Sequence, residues 1–97
     1  MAESVKVKVE WSGEKVARLP TSGAYSTVAR FPDDHDWPNG DAWSIVLLLP
    51  SVDAMRGGPF EANARFLASD APIDRLSPGS VFELFEGRVK TATVRVL

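Results

Sequence analysis

The chain of 97 residues has the length of one domain, large enough for a single hydrophobic core but too short for separate catalytic and binding domains. Its hydrophobic share of 44% and charged share of 25% are those of a folded globular protein, which excludes an intrinsically disordered chain. The formal net charge of -2 makes the molecule as a whole repel phosphate backbones, and the absence of cysteine excludes disulfides, thiolate nucleophiles and cysteine-based zinc sites.

The residues at the beginning of the chain do not have the pattern of a targeting segment. Residues 1–4 lead directly into alternating residues, without the basic segment and apolar stretch of a secretory signal. The longest apolar run, over residues 43–49, is far shorter than the roughly 20 residues that cross a bilayer. We therefore expect a cytoplasmic protein with no membrane span.

Three strands are predicted in the first half of the chain. Residues 5–11 alternate between an apolar and a charged set, which are Val5, Val7, Val9 and Trp11 against Lys6, Lys8 and Glu10. Gly23 opens the second strand, in which residues 24–31 alternate and both sets favour strands. Residues 42–49 are apolar almost without interruption until Pro50, which is typical of a strand buried on both faces. This third strand is the candidate central strand of the sheet.

The second half of the chain is predicted to hold three more strands and no long helix. Residues 52–56 have room for one helical turn before a Gly-Gly-Pro stop. Residues 60–66 alternate large and small apolar groups with polar ones, as in a curved strand. Two prolines bracket residues 72–78, where only a short turn fits. Residues 81–85 and 89–97 read as the last two strands.

The last two strands are expected to form a hairpin. Gly87 lies in the connecting segment at the position that needs a positive φ. Ala92, Val94 and Val96 are predicted to face inward and Arg95 to face solvent, because alternate residues of a strand point to opposite faces.

Six short strands with turns at regular spacing predict an all-β domain that spans residues 1–97. We expect a small six-stranded antiparallel closed β-barrel with Greek-key-like connections, and the alternative is a β-sandwich. The barrel is favoured because closing the sheet removes strand edges that a chain of this size has little material to cover.

An exposed loop is predicted over residues 31–41, with its acidic part at 33–41, because two prolines, an Asn-Gly pair and four aspartates do not suit a strand interior. Its candidate partner-binding residues are Asp33, Asp34, Asp36, Trp37 and Asp41. Trp37 either folds back onto the core or is exposed as an interface anchor, since aromatic residues are enriched at binding hot spots. Trp11 and Trp43 lie at strand positions and are expected in the core or at the barrel ends.

The same loop is the only local cluster of metal-ligand residue types, with three carboxylates beside His35. Adjacent side chains usually diverge rather than converge on one ion, so a solvated turn is the simpler interpretation and no metal or cofactor is predicted. His35 is the sole histidine, and the chain has neither a cysteine nucleophile nor a Gly-x-Ser-x-Gly segment. No catalytic residues are predicted, and we do not expect an enzyme.

Three arginines form a second candidate site. Arg65, Arg88 and Arg95 are expected at outward positions of neighbouring strands, where a basic stripe would suit nucleic acid. The alternative is that they form ion pairs with Glu61 and Glu83 across strands. Exposed arginines on strands more often form such pairs, and each pair contributes little to stability.

The second half of the chain carries a succession of short motifs, in which a strand, a Pro-Gly turn, a strand, a Glu-Gly hairpin with a basic residue and a final strand follow one another. The residues are Phe60-Glu61-Ala62-Asn63-Ala64-Arg65-Phe66-Leu67, Leu76-Ser77-Pro78-Gly79-Ser80 and Phe82-Glu83-Leu84-Phe85-Glu86-Gly87-Arg88-Val89. This succession, with Gly23-Ala24-Tyr25 at the start of the second strand, resembles the C-terminal β-barrel domain of elongation factor Tu and related translational GTPases. The resemblance implies a barrel that docks on protein and RNA.

Two features differ from that family. No phosphate-binding segment Gly-x-x-x-x-Gly-Lys-Ser/Thr occurs, so the resemblance does not extend to GTPase activity. The hairpin has one glycine, Gly87, where the family usually has two, and Thr91 and Thr93 replace the small glycines that follow. The resemblance therefore concerns a barrel without the GTPase domain.

The sequence leaves three functions open. The leading hypothesis is a non-enzymatic protein-interaction module whose acidic loop and Trp37 contact a basic protein surface. The second is binding of RNA or the translation apparatus through the three arginines, with an affinity that falls steeply with salt. The third is a small-ligand or metal-binding barrel, which a divalent cation would stabilise against heat.

Overall fold

The computed structural model describes residues 4–12, 23–32, 42–56 and 58–97. These residues form six strands and two short helical turns, which follow one another as β1 (Val5–Trp11), β2 (Gly23–Arg30), β3 (Trp43–Leu49), α1 (Val52–Arg56), β4 (Phe60–Phe66), a 3₁₀ helix (Ile73–Leu76), β5 (Val81–Glu86) and β6 (Val89–Val96). Each strand predicted from the sequence is present, and α1 and the 3₁₀ helix are the two short turns predicted between strands.

The strands form one closed antiparallel barrel. Their spatial order is β1-β4-β3-β2-β5-β6, and β6 pairs with β1 to complete the ring. β2, β3 and β4 follow one another as a meander and β1 lies beside β4, which is the Greek-key arrangement. The prediction of a six-stranded closed barrel is confirmed, and the sandwich alternative does not apply.

The period-two pattern of the sequence sorts the side chains between the inside and the outside of the barrel. In β4, Phe60, Ala62, Ala64 and Phe66 are buried, whereas Glu61 and Asn63 are exposed. In β6, Ala92, Val94 and Val96 are buried and Arg95 is exposed, as predicted. Burial of inward side chains holds the barrel together, since each large apolar side chain removed from water contributes about 1.5–3 kcal/mol.

β3 is only partly the doubly buried strand that its apolar sequence predicts. Its outward residue Val46 is 3% exposed, but the next outward residue, Leu48, is 45% exposed. β3 is also not central, because every strand of a closed barrel has two neighbours. The expectation was wrong in this respect because the outer face of an antiparallel barrel meets solvent unless another segment covers it.

One end of the barrel, named here the aromatic end, is filled by rings from three strands and from the residue after β2. Phe31 packs against Phe82 and Phe66, with ring centroids 4.8 Å and 5.9 Å apart, and Trp43 packs edge-on against Phe66. The 3₁₀ helix connects β4 to β5 at this end, and its Arg75 guanidinium lies 5.2 Å from the centroid of the Phe31 ring. Aromatic and cation–π contacts therefore close this end.

The opposite end, named here the polar end, is closed by Trp11 together with α1. The Trp11 ring packs against Phe60 at 5.7 Å and edge-on against Tyr25 at 5.5 Å, and Met55 of α1 is buried in the same core. Hydroxyl and carboxylate groups of Tyr25, Thr91 and Glu86 lie around these rings. Trp11 and Trp43 thus lie at opposite ends of the barrel, as the sequence predicts for strand tryptophans.

Candidate docking surface

The acidic loop predicted from the sequence lies outside the described residues. Its candidate contacts are Asp33, Asp34, Asp36, Trp37 and Asp41, all within residues 33–41. Pro32, the last described residue before them, lies beside Arg30 and Phe31 on the outer surface, where the chain leaves β2. Pro32 therefore belongs to the surface described below.

The three arginines do not form the stripe that the sequence predicts. Arg65 is on β4 and Arg95 on β6, and β1 lies between these strands, because the Greek-key connection carries the chain from β4 across the barrel end to β5. Arg88 is exposed in the turn between β5 and β6. Arg65 is half-buried, and its guanidinium donates to the carbonyl of Phe66 at 3.4 Å. The expectation of neighbouring strands was wrong for Arg65, and only Arg95 joins a larger surface.

That surface consists of two adjoining depressions on the outside of the barrel, named here the outer groove. The larger has a volume of about 410 Å³ and is lined by Arg30, Phe31, Pro32, Val81, Phe82, Glu83, Lys90 and Thr93. The smaller has a volume of about 240 Å³ and is lined by Lys8, Val9, Glu10, Pro59, Val81, Thr93 and Arg95. Because Val81 and Thr93 line both, the groove runs continuously from β2 across β5 and β6 to β1.

The register of the strands explains why a groove forms on a convex barrel. Thr93 is paired with Glu10 on one side and with Glu83 on the other, so a short side chain stands between two long ones. Val81, also short, is paired with Arg95 in the next outward row. Long charged side chains around two short β-branched ones leave a depression over β5 and β6.

The charges in the outer groove are predominantly basic. Its cations are Lys8, Arg30, Lys90 and Arg95, and its anions are Glu10 and Glu83. The Lys90 ammonium lies 3.0 Å from the Glu83 carboxylate, so these two charges compensate each other. Arg30 is opposite Glu83 in the register of β2 and β5. Glu83 is therefore paired with Lys90 of β6 rather than with any of the three arginines singled out from the sequence.

Lys8 and Arg95 stand out because they are directly opposite each other on paired strands. Both side chains are exposed, and neither forms an ion pair with any carboxylate of the described residues, including Glu61, which is opposite Lys8 on the other side. Like charges directly opposite each other on a sheet destabilise it. The pair therefore places two positive charges side by side without a direct ion pair to a described carboxylate, although Glu61 is opposite Lys8 and Glu10 lines the same depression.

The polar end carries a second group of polar side chains, which are joined by hydrogen bonds. The Tyr25 hydroxyl donates to Glu86 Oε2 at 2.5 Å and lies 3.3 Å from Thr91 Oγ1, and Thr91 Oγ1 donates to the carbonyl of Leu84 at 3.3 Å. The hydroxyl of Thr27 donates to the carbonyl of Phe85 nearby. These bonds cross from β2 to β5 and β6, so they tie together the strands on both sides of β5.

The Tyr25 phenol stays protonated under ordinary conditions. Burial, followed by its hydrogen bond to Glu86, raises the pKa of Tyr25 from 10.0 to about 12. A phenol with such a pKa is a hydrogen-bond donor and not a general base at neutral pH. The adjacent Trp11 indole has a buried Nε1 with no hydrogen-bond partner among the described residues. The arrangement is a structural network rather than a set of groups prepared for proton transfer.

Sequence reasoning missed Thr91 as an inward residue because a β-bulge changes the alternation. Thr93 and Arg95 point outward, so a strict period of two puts Thr91 outward as well. The register between β5 and β6 shifts after Leu84, and this shift leaves both Thr91 and Ala92 buried. A bulge places one extra residue on one strand and redirects a side chain. No residue type in this segment indicates that a bulge is present.

Within the residues that the structure describes, no group of three or more His, Cys, Asp and Glu side chains is arranged to hold a metal ion. None of the helices in this part of the chain has the length and apolar character that crossing a membrane requires.

Comparisons with known proteins assign no family to the chain. No family model matches its sequence, and no curated protein or solved structure matches it either. The interpretation of function therefore depends on the chemistry of the outer groove.

Proposed function

We propose that the chain is a non-enzymatic protein-interaction module that docks an acidic segment of a partner protein in the outer groove. The observation that carries this proposal is the pair of Lys8 and Arg95, two exposed cations opposite each other on adjacent strands of a closed barrel, with no ion pair to a carboxylate of the described residues. A carboxylate of the partner would bind both cations and relieve their mutual repulsion. Closure of the barrel supports docking on side chains, because the sheet offers no free edge to which a partner could add a strand.

The side chains on the surface favour protein over nucleic acid. The large apolar side chains exposed in the described part of the chain are Leu48, Leu67, Ile73, Val81, Val89 and Leu97. None of these is aromatic, whereas proteins that bind single-stranded nucleic acid stack bases on aromatic rings. The net charge of -2 also opposes a polyanion as long as an RNA. A short acidic segment meets the local basic surface without approaching the rest of the molecule.

Two further features support a docking role. The resemblance to the C-terminal barrel of elongation factor Tu supports a cytoplasmic docking domain, since that barrel docks on protein and RNA. The loop residues Asp33, Asp34, Asp36, Trp37 and Asp41 are proposed as a second contact, to a basic surface of the same partner. The partner would then present an acidic segment to the outer groove and a basic surface to these loop residues.

The proposal is tested by affinity capture from cell lysate with four forms of the protein. The groove variant is Lys8→Gln/Arg95→Gln. Its matched control is Lys6→Gln/Arg88→Gln, which removes one lysine from the same strand and one exposed arginine outside the groove, and so changes the net charge equally. The fourth form replaces Asp33, Asp34, Asp36 and Trp37 with serine and alanine.

We expect a protein that the wild type and the matched control both enrich and that the groove variant loses. The same capture after nuclease treatment should be unchanged. Equal recovery by the groove variant and the wild type would contradict the docking surface, and loss after nuclease treatment would favour the RNA alternative. Capture with the fourth form shows whether the acidic loop contributes to partner binding in addition to the outer groove.

A further inference from the structure

The smaller depression of the outer groove has the features of a site for a chain end. We infer that it binds the C-terminus of a partner protein, with the α-carboxylate of the last residue between Lys8 and Arg95 and its apolar side chain against Val81. This inference rests on the proposed function and specifies the acidic group that the same surface takes. The three residues form one row across the adjacent strands β1, β6 and β5.

The carboxylate contact uses two cations that have no ion pair. Lys8 and Arg95 are paired directly across β1 and β6, and both side chains are exposed. Neither has an ion-pair partner among the described carboxylates. The guanidinium can bind a carboxylate through two parallel hydrogen bonds, while the ammonium adds a third donor. One carboxylate of a ligand can therefore contact both cations.

The charge of the depression matches a single carboxylate. Among the described residues its lining contains the cations Lys8 and Arg95 and one anion, Glu10, while Glu61 is opposite Lys8 and does not line it. One carboxylate balances this excess of one positive charge, whereas an acidic run or a phosphate dianion would leave negative charge beside Glu10. Glu10 is paired with Thr93, so acceptors for the amide N–H of the terminal residue lie in the next outward row.

The apolar contact lies directly beside the cations. Val81 is paired with Arg95 across β5 and β6, is 37% exposed and lines the same depression together with Pro59. Directly paired residues of adjacent strands have Cβ atoms about 4.5–5.5 Å apart. Because this distance joins two adjacent strands, it does not depend on the curvature of the whole ring. The anion and the apolar group of the ligand must therefore be close neighbours.

A C-terminal residue meets this spacing better than an internal acidic residue. Its carboxylate and its side chain are attached to the same Cα. In an extended internal segment the residue after an acidic one points to the opposite side, and the next residue on the same side is about 7 Å away. The volume of about 240 Å³ is also below the roughly 300–1,000 Å³ of pockets that enclose a drug-sized ligand, so it suits a chain end.

Fluorescently labelled hexapeptides test this inference. The probe is Gly-Ser-Gln-Gly-Ser-Leu with a free C-terminal carboxylate, and its C-terminal amide is the control without the charge. The internal-acid control is the amide of Gly-Ser-Glu-Gly-Ser-Leu, which has the charge of the probe but carries the carboxylate inside the chain. The serine-ended control, Gly-Ser-Gln-Gly-Ser-Ser with a free carboxylate, lacks the apolar side chain.

Binding is measured by fluorescence anisotropy at low salt and mapped through the backbone amide resonances of the protein, with a uridine decamer as the nucleic-acid arm. We expect the probe to bind about tenfold more tightly than its amide, because the carboxylate contacts two exposed cations, each of which contributes up to about fivefold. It should also bind more tightly than the internal-acid and serine-ended controls. Its binding should shift the resonances of Lys8, Val81 and Thr93.

Three variants, each verified as folded from its amide spectrum, locate the contacts. In Lys8→Gln/Arg95→Gln the probe should bind about tenfold more weakly, and the difference between the probe and its amide should disappear. Lys6→Gln/Arg88→Gln should change the probe affinity by less than about twofold, since neither residue lines the groove. Val81→Thr, which keeps a β-branched side chain, should reduce the advantage of the probe over the serine-ended control.

Equal binding of the probe and the internal-acid control would overturn the assignment to a chain end, and equal binding of the probe and its amide would overturn the carboxylate contact. Tighter binding of the uridine decamer at the same resonances would contradict a peptide ligand. If the peptides fail while capture of a protein still depends on Lys8 and Arg95, the inference is wrong and the proposed function stands. If neither depends on these residues, both fall.

Discussion

At the aromatic end of the barrel, Phe31, Phe66 and Phe82 close the core by ring packing with one cation–π contact, whereas at the polar end Trp11 shares the closure with a hydrogen-bonded network around Tyr25. The difference arises because different elements cover the two ends. The 3₁₀ helix brings Leu76 and the guanidinium of Arg75 over an apolar cluster, while the β-bulge of β6 brings a hydroxyl inward. The stability of the aromatic end therefore depends on how well its side chains fill the available space. The stability of the polar end depends on hydrogen-bond donors and acceptors that pair with one another.

The largest effect that separates the two ends is expected from Phe82→Ala. Phe82 is 1% exposed and in ring contact with Phe31, so the substitution leaves a cavity and should lower the free energy of unfolding by about 3–5 kcal/mol. Phe85→Ala is the matched control, since Phe85 lies on the same strand, points to the opposite face and is half-buried. Urea denaturation measures both variants. A cost no larger for Phe82 than for Phe85 would show that the aromatic end is not the main contributor.

The second effect concerns the hairpin that leads to the polar end. Gly87 has a φ of +64° with nothing within 4 Å of an added Cβ, so Gly87→Ala is a purely conformational change. We expect it to lower the free energy of unfolding by about 1–2 kcal/mol. Gly87→Asn is the control and should cost less, because asparagine tolerates this conformation better than alanine. Equal melting temperatures for Gly87→Ala and the wild type would mean that the turn adapts without strain.

The third effect is that of a single hydroxyl at the polar end. Tyr25→Phe keeps the ring against Trp11 but removes the donor to Glu86, and it should lower the free energy of unfolding by about 1 kcal/mol. Thr91 retains its bond to the carbonyl of Leu84, so no buried hydroxyl is left without a partner. Chemical denaturation measures the change. An increase in stability would indicate that the network costs more in desolvation than its hydrogen bonds return.

The smallest effect is a titration that only the polar end should show. Below pH 10 the Tyr25 phenol is protonated in both the folded and the unfolded state, and its contribution to stability is present in full. Between pH 10 and about 12 the unfolded state loses the proton first, so stability should fall as pH rises through the folded pKa. Tyr25 is the sole tyrosine, so its ultraviolet absorbance reports this pKa directly.

Glu86→Gln gives the control for that titration. Replacing the carboxylate removes the charge-assisted acceptor that favours the protonated phenol, and the pKa of Tyr25 should move down toward its ordinary value. A pKa that is the same in the wild type and in Glu86→Gln would assign the whole shift to burial.

Much of the fold could be predicted because the relevant signals are local. Alternation over β1 and β4 indicates which residues face inward, and Gly87 marks a turn position whose predicted positive φ the structure confirms. The two expectations that were wrong, a fully buried β3 and a shared stripe for Arg65 and Arg95, both depend on what lies beside a strand. The alternation of residues along a strand does not indicate which strands or loops lie beside it.

The sequence predicts all six strands with bounds within about one residue of those in the structure, favours a closed antiparallel barrel over a sandwich and places Arg95 outward, because turn residues and period-two alternation act over a few residues. The folded molecule alone shows that Lys8 lies opposite Arg95, that Val81 and Thr93 stand among long charged side chains, and that Thr91 turns inward to meet Tyr25. These features depend on register, bulges and strand order, which come from packing between segments far apart in the chain.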